Sequence, residues 1–527
     1  MTPNRKSLTA FPIIALLAFA APACDDDNGK LPGDPDAAVD GAVGGQGGTG
    51  GTQASDAGPL PDSASGGSPG DAALPGDAGS GTGGAAPVVN QMAALIRFNA
   101  DGTPDNTFGT NGVTRLDRNA MASTALGWDV QKNAAGELFV FGHETASGRS
   151  DLDRYVAKLN ANGVLDTTWG ETVNAAKTGY QTLNIANLTD NVRAGYVDSM
   201  GRPVTFGYAS SPTGVGTMAA NALVIARLNT DGSYDTTFGV GGVFNYNPFN
   251  KPFPMQWGMG EAYGGFEQTE GANAGKYVTC GYGRSAASGQ VNVVAFRLTP
   301  TGGFDTTWGT NGIVELDWDD NFTSAGTNDR CRNLTRLPND RTLIVGSYES
   351  PAMKVNPMVL VLGENGALDT TFGTGGYRRS MGSVAARTDE SYHGTALSPD
   401  KNTAAAVGYS AGGTGLNDDS RILLLPMGAG TAIEKEIKLS ETLNDRLVTA
   451  AYDAQNRLVA AGFIAVDGGD TAFVVARFTA TGDLDTTFGT GGIASRNIAV
   501  GKGTAETARG IVIQNDGKIV LVGNLQE

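Results

Sequence analysis

The sequence predicts an all-β chain: a seven-bladed β-propeller whose closing blade takes two strands from each terminus, preceded by a disordered linker. Three observations carry this. First, the run Asp-Thr-Thr-Phe-Gly stands at 235–239, 369–373 and 485–489, with variants at 105–109, 166–170 and 305–309. Successive leading Asp residues lie 61, 69, 70, 64 and 116 positions apart, and the last gap is twice 58, so one degenerate copy falls between Gly373 and Asp485. A period of this length means stacked supersecondary units. Second, each period holds four short β-branched, apolar segments bounded by Gly, Asn and Asp, with no sustained 3.6-residue pattern. Four antiparallel strands per repeat, set radially, make a propeller blade. Third, both countable strand types number seven. Second strands end at Gly142, Gly207, Gly281, Gly346, Gly408, Gly462 and Gly523, and third strands centre near Leu95, Val156, Val224, Val294, Val359, Leu423 and Val474. The repeats open with a third strand (92–98) and close with a second (518–523), so seven blades result only if these halves unite in one sheet. Closure also removes the edges an open array would expose.

Ahead of the repeats, Arg5 and Lys6 precede an apolar stretch, 10–20, that is too short to span a bilayer and ends in small residues. That is the pattern of a signal peptide, 1–23. Ala21-Pro22-Ala23-Cys24 resembles the lipobox of bacterial lipoproteins, although Ala21 stands where Leu is usual. Cys24 is the expected lipid attachment site and the membrane the expected partner through that lipid. Residues 24–90 are rich in Gly, Ala, Asp and Pro, contain no aromatic residue and, from 25 on, hold ten Asp against one Lys. Such a segment buries too little apolar surface to fold and reads as a solvated tether. The expected location is therefore the cell envelope or cell surface, with the leaflet open.

Within a repeat, 510–514 and 518–523 read as the first two strands around the turn Asn515-Asp516-Gly517, where Gly accepts positive φ. The third strand is clear at 221–228 and 472–478. A second Gly turn and the Asp-Thr-Thr-Phe-Gly run follow, then a brief fourth strand, as at 312–316. The degenerate copy is Arg421-Ile-Leu-Leu-Leu425. The stretches 226–239 and 515–523 resemble the delta-60 repeat family, bacterial propeller-type repeats often found in exported proteins. The resemblance covers 92–526 and implies no defined reaction.

The repeated residues read as structure. Each signature Asp is expected to accept bonds from the Thr amides after it, and each Phe or Trp (Phe108, Trp169, Phe238, Trp308, Phe372, Phe488) to wedge between blades. The Asn-x-Asp-Gly-x-x-Asp runs at 99–105 and 229–235 loosely mimic calcium loops but lack the longer spacing and terminal Glu of a calcium hand, so no cofactor is expected. Cys280 occupies the place of Phe141, Phe206, Val345, Val407 and Val522 and reads as a buried apolar residue rather than half of a bridge to Cys331.

Candidate sites lie where repeats differ. The insertion at 245–263 carries Tyr246, Phe249, Phe253, Trp257 and Tyr263 among Pro residues and is either a stacking surface for a ligand or a local plug. A second insertion, 315–322, sets acids beside aromatics. Arg193, Arg332, Arg446 and Arg509 fall near the start of the innermost strand in four repeats, where they ring a channel mouth or pair with acids. His143 replaces the Tyr or Phe of other repeats, and His393 reads as standing alone just ahead of an inner strand. With two His in the chain and no nucleophile elbow or phosphate loop, neither a zinc site nor a catalytic residue is indicated. The net charge of −17 argues against nucleic acid. The expected function is a non-enzymatic, monomeric envelope binding or scaffold module for a glycan or protein. The alternatives are a hydrolase or lyase with its site at the channel mouth, and a purely structural envelope protein.

Overall fold

The computed structural model describes residues 91–526, apart from 117–123, 147, 150, 186, 188, 212–219, 247–259, 285–290, 317–327, 350–354, 380–386, 388, 413–415, 468–469 and 501–504. The expectations for the signal peptide, Cys24 and the linker lie outside the described residues.

Seven four-stranded antiparallel sheets form the ring, as expected. From first to fourth strand, blade 1 is Ala125–Lys132, Leu138–Thr145, Leu152–Leu159 and Tyr180–Leu183; blade 2 is Asp190–Val197, Pro203–Ser211, Ala220–Arg227 and Val243–Tyr246; blade 3 is Gly260–Glu267, Tyr277–Arg284, Val291–Leu298 and Ile313–Leu316. Blade 4 is Arg330–Arg336, Thr342–Glu349, Val355–Leu362 and Tyr377–Arg379; blade 5 is Glu390–Leu397, Thr403–Ser410, Asp419–Pro426 and Ile433–Ile437; blade 6 is Asp445–Tyr452, Leu458–Asp467, Asp470–Phe478 and Ile493–Arg496. Blade 7 joins Glu506–Ile513 and Ile519–Gln526 to Gln91–Phe98 and Val113–Leu116. The two chain halves meet in register, with Leu95 opposite Val522 and Phe98 opposite Ile519. A two-stranded hairpin, Thr172–Val173 with Ala176–Lys177, interrupts blade 1 after its signature and has no counterpart in the repeat pattern.

The first strand of each blade touches the first strand of the next, and that of blade 7 touches that of blade 1, so these strands surround the axis. Apolar residues of the second and third strands fill the spaces between blades, as where Phe206, Ile225 and Phe238 of blade 2 cluster with Phe296 and Leu298 of blade 3. Continuous burial along third strands such as Val291–Leu298 follows from cover on both faces.

Every signature Asp accepts bonds from the amide and hydroxyl of the Thr two residues on, as Asp235 does from Thr237 at 3.0 and 2.6 Å. The wedge expectation holds for Phe108, Trp169, Phe238, Trp308 and Phe488, all buried. Phe372 departs from it and is only partly buried, because blade 5 lacks the turn that covers the other five. The reading of Cys280 is corrected. It is buried as expected, but it is bonded to Cys331. Cys280 lies on the second strand of blade 3 and Cys331 on the first strand of blade 4, and packing of the two blades brings their Cα atoms to 6.1 Å.

Candidate functional site: an axial girdle built by seven β-bulges

Each first strand carries one β-bulge at the same register. The unpaired extra residue is Trp128, Arg193, Tyr263, Arg332, His393, Val448 and Arg509 in blades 1 to 7. A bulge re-aims a side chain out of the alternation that would press it against a neighbouring blade. Here it sets seven side chains partway along the strands that line the axis.

Five of them form a run of alternating cations and rings across blades 7, 1, 2, 3 and 4. The Arg509 guanidinium lies 4.1 Å from the Trp128 ring centre, and that of Arg193 lies 4.5 Å from the same ring on the other side in sequence. Arg193 also stands 5.5 Å from the Tyr263 ring, and Arg332 stands 5.4 Å from it and within 3.4 Å of its hydroxyl. Cation–π attraction of this kind holds each guanidinium plane against an aromatic face. A second tier comes from the paired strand, where His143 (5.9 Å from Trp128), Tyr208, Tyr282 and Tyr409 back the bulge residues. Asn191 donates to the Tyr208 hydroxyl at 2.5 Å.

Acids stand three residues ahead of five bulges: Asp190, Asp329, Glu390, Asp445 and Glu506. Four have visible structural duties. Asp190 accepts from the Ile185 amide, and Asp445 from the amides of Leu439, Ser440 and Ser420. Glu506 accepts from Ile498 and Ala499, and Glu390 is paired with Arg421. Burial pushes the Glu506 carboxyl up to about 7 and that of Asp445 up to about 6.

Arg193, Arg332 and Arg509 thus share one level, halfway down the strands rather than at a mouth. Arg446 does not join them. It sits two residues before the blade 6 bulge, paired with Asp418 at 2.6 Å and over the Tyr409 ring at 3.9 Å. Of the aromatic insertion, Tyr263 belongs to the girdle. Tyr246 is withdrawn from any surface role, because it is buried at the blade 2–3 interface beside Phe296 and Phe304. Phe249, Phe253 and Trp257 lie outside the described residues, as does most of the acidic insertion; its Glu315 accepts from Asn292. Trp128, His393 and Val448 were not legible as site residues, and His393 lies within an inner strand rather than ahead of it. The available signal was a distance of fourteen or fifteen residues before the second-strand Gly, shared by six repeats, with Tyr263 of blade 3 the exception at eighteen. Among the described residues, no three of His, Cys, Asp and Glu converge as a metal site. None of the described helices is long and apolar enough to cross a membrane.

Fold and girdle define a seven-bladed, repeat-built β-propeller. Residues 90–108, 215–238 and 456–488 match the family described as a domain of unknown function (DUF5122) beta-propeller, which supports a β-propeller repeat family. No curated protein matches the sequence significantly. Among solved structures, the chain is similar to a periplasmic gluconolactonase of Pseudomonas aeruginosa (12% identity, TM-score 0.41, covering 78% of this chain and 100% of that one). It is similar to a protein of unknown function from Dyadobacter fermentans (10% identity, TM-score 0.38, 84% and 100%). It is also similar to the extracellular domains 1–2 of Drosophila semaphorin 1a (9% identity, TM-score 0.35, 76% and 85%).

Proposed function

We propose that this chain is an exported, non-enzymatic envelope binding module of the delta-60 repeat type. Cys24 carries its lipid anchor, residues 24–90 are its tether, and the axial girdle is its ligand site. The observation that carries the reading is the run Arg509–Trp128–Arg193–Tyr263–Arg332. Guanidinium groups recognise carboxylates through paired, charge-assisted bonds, and aromatic faces stack on sugar rings. The ligand class that meets both is an acidic glycan bearing uronate carboxylates.

The test is a glycan array probed with the full chain, wild type against Trp128→Ala and Arg193→Gln. Retention of uronate oligosaccharides over neutral ones, lost in both variants with the melting temperature held, is the expected result. Binding that ignores charge, or survives both substitutions, overturns the site. Capture of acidic peptides but no glycan replaces the ligand class. The anchor has its own readout: Cys24→Ser is expected to move the chain from the membrane fraction to the soluble one.

A further inference from the structure

The repeat breaks at two interfaces, and at one of them, between blades 4 and 5, a cavity opens. At five of the seven interfaces the wedge ring of one blade lies under a turn from the next, and the signature Gly amide donates to that turn's carbonyl, as Gly239 does to Thr301 at 2.8 Å. In four of these, a third-strand Arg completes the joint. Arg97, Arg227, Arg297 and Arg477 lie over the wedge rings at 4.8, 4.6, 5.8 and 4.7 Å. Each also bonds the signature Asp and donates to a carbonyl of the next blade, as Arg227 does to Asp235 at 2.8 Å and Pro300 at 2.6 Å.

In blade 4 the equivalent residue is Val361, whose carbonyl accepts the Asp369 amide as that of Arg227 accepts the Asp235 amide. Blade 5 offers a loop containing Met427, Gly428 and Gly430 in place of the covering turn. Between them lies a cavity of about 290 Å³. Its walls include Val361, Thr371, Phe372 and Met427, and these correspond to what a third-strand Arg meets elsewhere: its own stem position, the signature Thr, the wedge ring and the neighbouring loop. The acid is also short of one donor. Oδ2 of Asp235 takes both Arg227 at 2.8 Å and Arg202 at 3.0 Å, and that of Asp305 takes both Arg297 and Lys276 at 2.8 Å. Among the described residues, Asp369 Oδ2 takes Arg341 alone, at 2.9 Å. Arg341 stands where Arg202 and Lys276 stand, so its presence leaves the second position open. Arg378, the other cation in the wall, reaches across to Glu434 of blade 5 at 3.3 Å.

We infer that this cavity binds a small molecule through an alkylguanidinium group, which takes the place of the missing side chain: stacked on Phe372, bonded to Asp369, with its alkyl stem along Val361. The site is independent of the axial girdle. Titrate the full chain with butylguanidinium, butylamine and butyrate, following heat of binding and melting temperature. Butylguanidinium is expected to saturate below about 10 mM, a weak but measurable affinity for so small a ligand, and to raise the melting temperature. Val361→Arg is expected to abolish this binding while itself raising the melting temperature, and Asp369→Asn to weaken it roughly tenfold, the scale of one bond to a charged group. No saturable binding of butylguanidinium to the wild type, a preference for butyrate, or undiminished binding in a folded Val361→Arg chain each overturns the inference. The wild-type comparison decides even if a variant fails to fold.

Discussion

The joint between blades 2 and 3 and the joint between blades 4 and 5 start from the same signature and end differently. In the first, Phe238 is fully buried, Arg227 ties Asp235 to the Pro300 carbonyl, and the Gly302 turn closes over the ring so tightly that an added Cβ would stand 2.6 Å from the Gly239 nitrogen. Gly302 is at φ +78°, which a side chain would strain as well. In the second, Val361 and the blade 5 loop leave Phe372 partly uncovered beside a cavity. The wedge ring alone therefore does not make a joint. The ring, the third-strand Arg and the next blade's turn act as a set, and losing two of the three opens space that the apolar residues around it do not fill.

The largest effect that separates the joints is loss of the ring. Phe238→Ala is expected to cost about 3–5 kcal/mol, the range for a fully buried Phe. Phe372→Ala is expected to cost less than half as much, since part of that ring already faces open space. Thermal melting of both variants measures the difference, and equal costs would show that the cavity does not weaken the joint. Next comes conversion of one joint into the other. Arg227→Val leaves Asp235 with Arg202 as its one remaining cation and removes the cover from Phe238. The expected cost is about 3 kcal/mol, the lower end for breaking a buried ion pair because one partner survives. Butylguanidinium should restore part of the lost melting temperature.

These contrasts also mark what the sequence made legible. Seven blades, shared closure and the Asx turns follow from counting the Gly ends and signatures, since the turn chemistry that repeats is local to each repeat. The girdle was half visible. Arg193, Arg332 and Arg509 stand out as charges in inner strands, but Trp128, His393 and Val448 share their level only because a bulge shifts the register, and a bulge leaves no mark in an apolar alternation. Arg446, at the start of its inner strand as read, stands two residues ahead of the blade 6 bulge and pairs with an acid instead of joining the girdle. The bond between Cys280 and Cys331 depends on packing between neighbouring blades, which one repeat read alone does not contain. Phe372 carries the full signature, and its exposure is set by residues 426–430 of another repeat.

Acid gives a smaller and more selective separation. Burial opposes ionisation of Asp235, but the bonds from Thr237 and the Arg227 charge outweigh it and hold its carboxyl below the ordinary value of 3.8. The Thr371 bond does most for Asp369, with burial against it and Arg341 adding a single cation. Depressed carboxyls stabilise the fold above their unfolded value and lose that contribution as the pH falls through the folded one. Asp235→Asn and Asp369→Asn should therefore each flatten the fall in melting temperature below pH 3.8. The buried Glu506 acts in the opposite sense. Its carboxyl is raised from 4.5 to about 7, so its contribution is complete below 4.5 and is lost as the pH rises through 7. That loss runs at up to about 1.4 kcal/mol per pH unit, and Glu506→Gln should remove it.

The smallest effect concerns how blade 5, which has no signature, meets blade 6. The Gly482 turn of blade 6 rests on Ile422, Leu424 and Ile433 of blade 5, with side-chain atoms 3.3 to 3.7 Å from where a Cβ would stand. At the rim, Lys435 Nζ reaches Asp483 at 2.6 Å, and the Asp483 side chain is 65% exposed. An ion pair so open to water gains little over its separated, solvated partners and is screened by salt. Lys435→Ala should thus change stability by less than about 1 kcal/mol, and the change should vanish in high salt, whereas Ile422→Ala should cost about 2–5 kcal/mol for a buried aliphatic. If Lys435→Ala cost as much as Ile422→Ala, the joint would depend on charge, and blade 5 would have replaced the ring, Arg and turn with an ion pair. If the two separate as expected, apolar contact rather than this ion pair seats the Gly482 turn on blade 5, while the missing Arg and covering turn account for the cavity on the other side of that blade.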